Sequence, residues 1–285
     1  MENYIYFNDK ITQLQKVFIS VNDRGFLYGD GFFETFRSFN GEFLDFRFHF
    51  SRMINTSRFL KIDFSLKMND ILSILNELKD LNKLNNVDCY ARITITRGID
   101  PYGPSIKQKY SPTVVIEVKR LPQYVIDRSE KGVKTTVLES FKKERNVLYN
   151  YKTINFLPSV IGFLNRRNFD DVIFLDKFNC LIEGITANLF FYKGKTLYTS
   201  NEANLFLKGV TREAILKGIK KFSEYKFNIR YRNFKISELD KIDGAFFTNS
   251  LSGIYPILSI DEIRLKHRIE IINKLREVYM RFLQS

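Results

Sequence analysis

Cysteine is scarce in this chain: Cys89 and Cys180 are its only two, far apart in sequence. Two distant thiols exclude a disulfide framework and a cysteine-based metal motif, and read as ordinary small hydrophobes. Long apolar runs are missing too, so no stretch of about 18 residues is suited to crossing a bilayer. The opening Met1-Glu2-Asn3-Tyr4 has neither the basic start nor the apolar stretch of a secretory leader. Repeats and low-complexity tracts are absent. Basic clustering is lacking despite a formal net charge of +13. The densest groups, Lys142-Lys143-Glu144-Arg145 and Arg166-Arg167, are short, and aromatic residues sit in apolar runs such as Phe46 to Phe50. Nucleic acid and membrane are therefore not expected as partners, whereas a positive field that attracts anionic small molecules is. The expected location is the cytoplasm.

What is present is ordinary for a globular protein of two domains or one large one: 285 residues, 44% hydrophobic and 27% charged. Strands are predicted over 4–7, 17–21 and 32–39, with a Gly-containing loop over 23–31. Asn40-Gly41 is a hairpin signal, with the strand resuming at Phe43-Leu44. Helical spacing covers 49–60 and 69–84, and strands follow over 89–96 and 113–118. Further strands are predicted at 134–138, 172–175, 188–192, 196–198 and 245–248, and helices over 155–167, 211–222 and 260–282. Pro122 and Gly132 bracket a connection. The reading is an α/β (α+β) chain: a small N-terminal α/β domain over 1–120, a linker over 121–132 and a larger domain over 133–285.

Four stretches suggest chemistry. Gly209-Val210-Thr211-Arg212 runs into a helical segment, and a helix N-terminus offers unbonded N–H groups to a phosphate. Thr248-Asn249-Ser250-Leu251-Ser252-Gly253 is a small, polar turn after an apolar strand, able to hold an anion through hydroxyl and N–H groups. Lys152 sits among aromatic and apolar neighbours at the mouth of a predicted helix, where desolvation would favour a nucleophilic amine. Glu183 precedes Asn188 by five positions, ahead of an apolar strand. Taken alone, the helix start, the polar turn and the lysine are better explained as a capped helix, a polar loop and a surface lysine.

Together they resemble the class IV pyridoxal-phosphate enzymes, which include branched-chain and D-amino-acid aminotransferases and aminodeoxychorismate lyases. The stretch from Glu183 through Asn188 and Phe190, Leu197 and Thr199, to Leu207, Gly209, Val210 and Arg212 follows the family pattern, as do residues 21–35 and 47–52. The resemblance implies a two-domain D-amino-acid-aminotransferase-like fold with a pseudo-barrel in the larger domain, a homodimer, and pyridoxal 5'-phosphate as cofactor. It implies Lys152 as the covalent anchor and proton carrier, and Glu183 as partner of the ring nitrogen. Arg47, Val210, Thr211 and Ser250 are implied on the phosphate, His49 and Arg52 as framework, and Asn188 as a residue that fixes backbone.

Within the family, Tyr28 to Thr35, Thr96-Arg97-Gly98 and Thr248 to Pro256 are similar to the lyase pattern. Branched-chain enzymes usually carry Tyr where this chain has Leu157, and Phe-Glu-Gly where it has Phe33-Glu34-Thr35. The implied reaction is conversion of 4-amino-4-deoxychorismate to 4-aminobenzoate, a folate precursor, and pyruvate. Tyr28, Thr35, Arg97 and Leu251 are the candidate substrate residues. The alternatives are an aminotransferase using branched-chain or D-amino acids with 2-oxoglutarate, and a non-catalytic member of the family.

Overall fold

The computed structural model describes residues 3–106, 109–200, 205–266 and 268–285. The chain divides into two compact units, Met1–Leu121 with Tyr151–Phe156, and Pro122–Asn150 with Leu157–Ser285.

The first unit is an antiparallel sheet of five strands: β1 (Tyr4–Phe7), β2 (Lys10–Gln13), β3 (Gly31–Arg37), β4 (Cys89–Thr96) and β5 (Thr113–Arg120), in the order β2-β1-β5-β4-β3. A short helix α1 (Arg24–Tyr28), capped by Asp23, occupies the predicted Gly-containing loop. Helices α2 (Phe46–Leu60) and α3 (Met68–Leu81) supply the other layer. Period-two alternation on β3 and β4 turns Phe32, Phe36, Ala91, Ile93 and Ile95 into a core that includes Met53, Ile71, Leu75 and Leu78. The opposite face carries Phe33, Thr35, Arg92 and Thr94, paired Phe33↔Thr94 and Thr35↔Arg92.

Two predicted strands fail for local reasons. Residues 17–21 form none, and Phe18 and Val21 are 82% and 70% exposed. Asn40 and Gly41 make the turn with φ of 50° and 84°, but the pairing stops at the Phe39↔Glu42 bridge. Phe43 is then drawn into the core, edge-on to Phe36 with ring centres 5.4 Å apart.

The second unit begins with α4 (Gln123–Lys131), so the predicted linker is a helix that starts directly after Pro122, a residue whose fixed φ suits a helix start. A ten-stranded sheet follows: β6 (Val133–Lys143), β7 (Asp171–Asp176), β8 (Cys180–Gly184), β9 (Asn188–Lys193), β10 (Thr196–Thr199), β11 (Asn228–Tyr231), β12 (Phe234–Lys235), β13 (Gly244–Asn249), β14 (Gly253–Ile260) and β15 (Ile263–Arg264). Neighbours run β9-β13-β14-β6-β7-β8, and β8 returns to β9 through the single pair Glu183↔Asn188, closing a partial barrel. Helices α5 (Leu157–Asn165), α6 (Val210–Lys221) and α7 (Ile269–Leu283) complete the unit. The helix predicted from 260 begins only at Ile269. Asp261 adopts φ 48° and turns β14 back into β15. No described helix is long and apolar enough to cross a membrane.

Candidate active site

In the first unit, residues 151–156 run in extended form beside β3. Phe32 bridges Thr153, the Phe33 amide donates to the Lys152 carbonyl at 2.9 Å, and the Ile154 amide donates to the Gly31 carbonyl at 3.1 Å. Gly31 permits this packing, because a Cβ there would meet the Ile95 carbonyl at 2.5 Å. Lys152 therefore stands on a strand-like segment, and α5 begins only at Leu157, in the other unit. The Lys152 Nζ lies 4.5 Å from the Phe33 ring centre, and the Arg92 guanidinium lies 4.0 Å from the same ring. Thr35 faces Arg92 across the strand pair, and its buried Oγ1 has no hydrogen-bond partner. An amine, a guanidinium, an aromatic face and an orphan hydroxyl are thus gathered on one sheet face.

Glu34 points the other way, as alternation requires. It receives His49 Nδ1 at 2.6 Å and both Nε and Nη2 of Arg52 at 2.6 Å. Burial opposes its ionisation, but Arg52 and His49 outweigh that and hold its carboxyl at about 2. For His49 burial opposes the charged form, and Asp45 and Glu34 outweigh it, so the imidazole is raised. His49 and Arg52 are thereby tied into a buried charge cluster that anchors α2 to β3. Arg47, on the exposed side of α2, lies with its guanidinium 4.7 Å from the Phe48 ring centre.

The structure engages Arg97 elsewhere. It grips Asp30 with Nε and Nη2, at 2.7 and 2.9 Å, and donates to the carbonyls of Lys61 and Leu60. Burial would raise Asp30, but Arg97 and Arg24 hold it low. Tyr28 closes α1 with its ring beneath Arg24, 5.1 Å from the guanidinium. The cation on the sheet face is Arg92, which the sequence reading missed. The alternation Tyr90, Arg92, Thr94 between Ala91, Ile93 and Ile95 marks it as one polar face of a strand. Burial lowers the Arg92 guanidinium, and Glu117 partly offsets this.

In the second unit, one rung of the sheet aligns Glu183, Asn188 and Thr248 on β8, β9 and β13. Residues opposite each other in an antiparallel pair share a face. The Asn188 Oδ1 accepts from the Gly209 amide at 2.8 Å, and its Nδ2 donates to the Leu207 carbonyl at 2.8 Å. Asn188 thus holds the start of α6, where Val210 and Thr211 begin the helix with N–H groups that have no intrahelical acceptor. Thr211 is 1% exposed and its Oγ1 has no partner. Thr248 Oγ1 is likewise buried and unpartnered. Next to it, the Asn249 Oδ1 accepts from the amides of Leu251 at 3.1 Å and Ser252 at 2.7 Å, shaping the turn that carries Ser250 and Leu251. Glu183, 9% exposed, is ion-paired with Lys143. A buried carboxylate, a primed helix N-terminus and a small-residue turn therefore meet around one rung. Among the described residues no cluster of His, Cys, Asp and Glu suits a metal ion.

Residues 31–260 match the family model described as amino-transferase class IV. The chain is 28% identical, over 280 residues, to a Methanocaldococcus jannaschii protein provisionally named a branched-chain-amino-acid aminotransferase, a match covering 96% of this chain and 94% of the relative. It is also 28% identical, over 261 residues, to aminodeoxychorismate lyase of Bacillus subtilis, covering 91% and 87%. The fold is similar to that of branched-chain amino acid aminotransferase from Escherichia coli, with a TM-score of 0.87 and 22% identity over 98% and 94% of the two chains.

Proposed function

Because the chain belongs to the class IV aminotransferase family of pyridoxal-phosphate enzymes, we propose that it is an aminodeoxychorismate lyase, releasing 4-aminobenzoate and pyruvate from 4-amino-4-deoxychorismate. The residues suit the cofactor. Thr211 offers a buried, unpartnered hydroxyl at an open helix N-terminus, where a phosphate is well accommodated, with Val210 beside it. Ser250 would add a hydroxyl to the phosphate and Glu183 would be the carboxylate for the ring nitrogen, while Arg47 is assigned to the phosphate by the family resemblance alone. When bound, the cofactor supplies an aldehyde that captures an amine and a ring that takes up electrons. Lys152 would hold it covalently until the substrate amine takes its place and frees the Nζ.

Lys152 then acts as base, its Nζ taking the hydrogen from the amine-bearing carbon of the substrate. The bond from the ring to the ether oxygen breaks, the six-membered ring becomes aromatic, and the departing enol takes up a proton to give pyruvate. Atoms balance without oxidant or reductant. Arg92 is assigned a substrate carboxylate in place of Arg97, whose donors are engaged in the fold. Tyr28 and Leu251 stay candidate substrate residues on the family resemblance.

The observation that carries the lyase reading is the orphan hydroxyl of Thr35, directly opposite Arg92. A hydroxyl there can donate to the departing oxygen. Thr35→Gly should lower 4-aminobenzoate release by about tenfold or more, the loss of one transition-state hydrogen bond, while the protein stays yellow. Undiminished release would remove the basis for this assignment. The equal identity to the named aminotransferase favours a second reading, transamination with 2-oxoglutarate, which the same Thr35→Gly protein should then leave intact or improve.

We place two copies in the working assembly. In support, the first unit exposes Phe18, Val21, Phe26 and Tyr102 at 70% or more, and the second exposes Leu157 and Leu164. A reducing cytoplasm suits a chain with only two cysteines, the buried Cys89 and the half-buried Cys180.

A further inference from the structure

Lys142 and Lys143 are adjacent, and their fates differ. Lys142 is exposed and donates to Asn179, whereas Lys143 is 6% exposed and its Nζ is ion-paired with Glu183. A bulge makes the difference: the β6–β7 register shifts between Leu138 and Lys142, so that Lys142 falls opposite Leu175 and Lys143 opposite Asp176. A register one residue away would send Lys143 to the other face of the strand. The ammonium is also packed against two rings, 4.0 Å from the centre of Tyr149 and 5.5 Å from that of Phe174, itself the strand partner of Glu183. A lysine is seldom buried unless paired. Here strand geometry, two aromatic faces and a carboxylate converge on one amine.

We propose that Lys143 is a positioning residue that divides the charge of Glu183 between itself and the cofactor's ring nitrogen, and so sets how firmly that nitrogen holds a proton. The inference rests on the assignment of Glu183 to the ring nitrogen. A carboxylate already paired with a buried ammonium is a weaker partner for a second cation, and the ammonium repels a protonated ring. Lys143 therefore restrains protonation at the ring nitrogen, keeping the electron sink moderate where a lone glutamate would make it strong.

The test is the 15N resonance of ring-labelled pyridoxal phosphate in the loaded protein, followed against pH. In Lys143→Met the ring nitrogen should bind its proton about tenfold more tightly than in the parent, with the midpoint about one pH unit higher. Lys143→Arg, which keeps the charge, should titrate like the parent. A smaller Lys143→Gln variant repeats the measurement should Lys143→Met fail to fold. Glu183→Gln separates the two claims. A Glu183→Gln resonance that titrates like the parent's refutes the Glu183 assignment and the inference with it. A shift in Glu183→Gln with none, or a fall in proton affinity, in both Lys143→Met and Lys143→Gln overturns the role of Lys143 alone.

Discussion

The Lys152 Nζ stands 4.5 Å above the ring of Phe33, whose backbone amide donates to the Lys152 carbonyl at 2.9 Å. One aromatic residue thus fixes both the backbone and the amine of the lysine, and its ring also carries Arg92 at 4.0 Å. Two cations on one ring are tolerated because the face of an aromatic ring attracts positive charge. Anionic groups that reach this face meet an amine and a guanidinium already in place.

Arg92 and Arg97 should separate cleanly under mutation. Arg92→Gln is expected to raise KM for the substrate and lower kcat/KM by roughly ten- to a hundredfold, the loss of a charged hydrogen bond. Arg97→Gln leaves Asp30 with less of its buried partner and should lower unfolding stability by about 3 kcal/mol, while KM of the surviving folded enzyme changes little. Steady-state kinetics and thermal denaturation of both proteins decide this.

Much of the molecule was legible in its sequence, and the exceptions have physical causes. The apolar spacing of Ile71, Leu75 and Leu78 reports α3 because these side chains reach one core. Residues 17–21 have strand-forming side chains but no sheet neighbour, so propensity alone misleads there. The choice between Arg92 and Arg97 was not readable, because it depends on Asp30 and two carbonyls arriving from other segments. The start of α6 was visible as Gly-Val-Thr-Arg and Asn188 was expected to fix backbone, but which backbone it fixes emerges only in the fold, where it bonds Gly209 and Leu207 ahead of α6.

The phosphate cradle can be probed without touching chemistry. Thr211→Val removes a hydroxyl that lacks a partner in the protein itself. It should leave the stability of the cofactor-free protein unchanged or slightly higher, and weaken cofactor binding by about tenfold or more. Gly209→Ala acts on the same helix start, since its Cβ would lie 2.4 Å from Asn188 Oδ1. Equilibrium dialysis against pyridoxal phosphate, beside melting curves, distinguishes the two effects.

The buried Glu34 cluster predicts how the first unit responds to acid. A carboxyl lowered from its ordinary 4.5 to about 2 stabilises the fold fully above 4.5, and this contribution is lost as pH falls toward 2. The amount is on the order of 3 kcal/mol. His49 is raised, so its contribution is complete below about 6.5 and fades as pH rises through its elevated value. Glu34→Gln should therefore flatten stability between pH 5 and about 2, as read by urea denaturation across that range.

The apolar side chains left outside the two cores predict self-association. Phe26 is 72% exposed and Phe18 is 82% exposed. The parent should sediment as a dimer, and the double change Phe18→Asp, Phe26→Asp should shift it toward monomer. A parent that sediments as a monomer at micromolar concentration contradicts the proposed assembly.

The most direct measurement is to supply the yellow, cofactor-loaded protein with 4-amino-4-deoxychorismate generated in place and to assay both products. 4-Aminobenzoate and pyruvate are expected in equal amounts, with release abolished in Lys152→Ala. A loaded, folded parent that releases neither, yet passes the amino group of a branched-chain or D-amino acid to 2-oxoglutarate, would contradict the lyase reading.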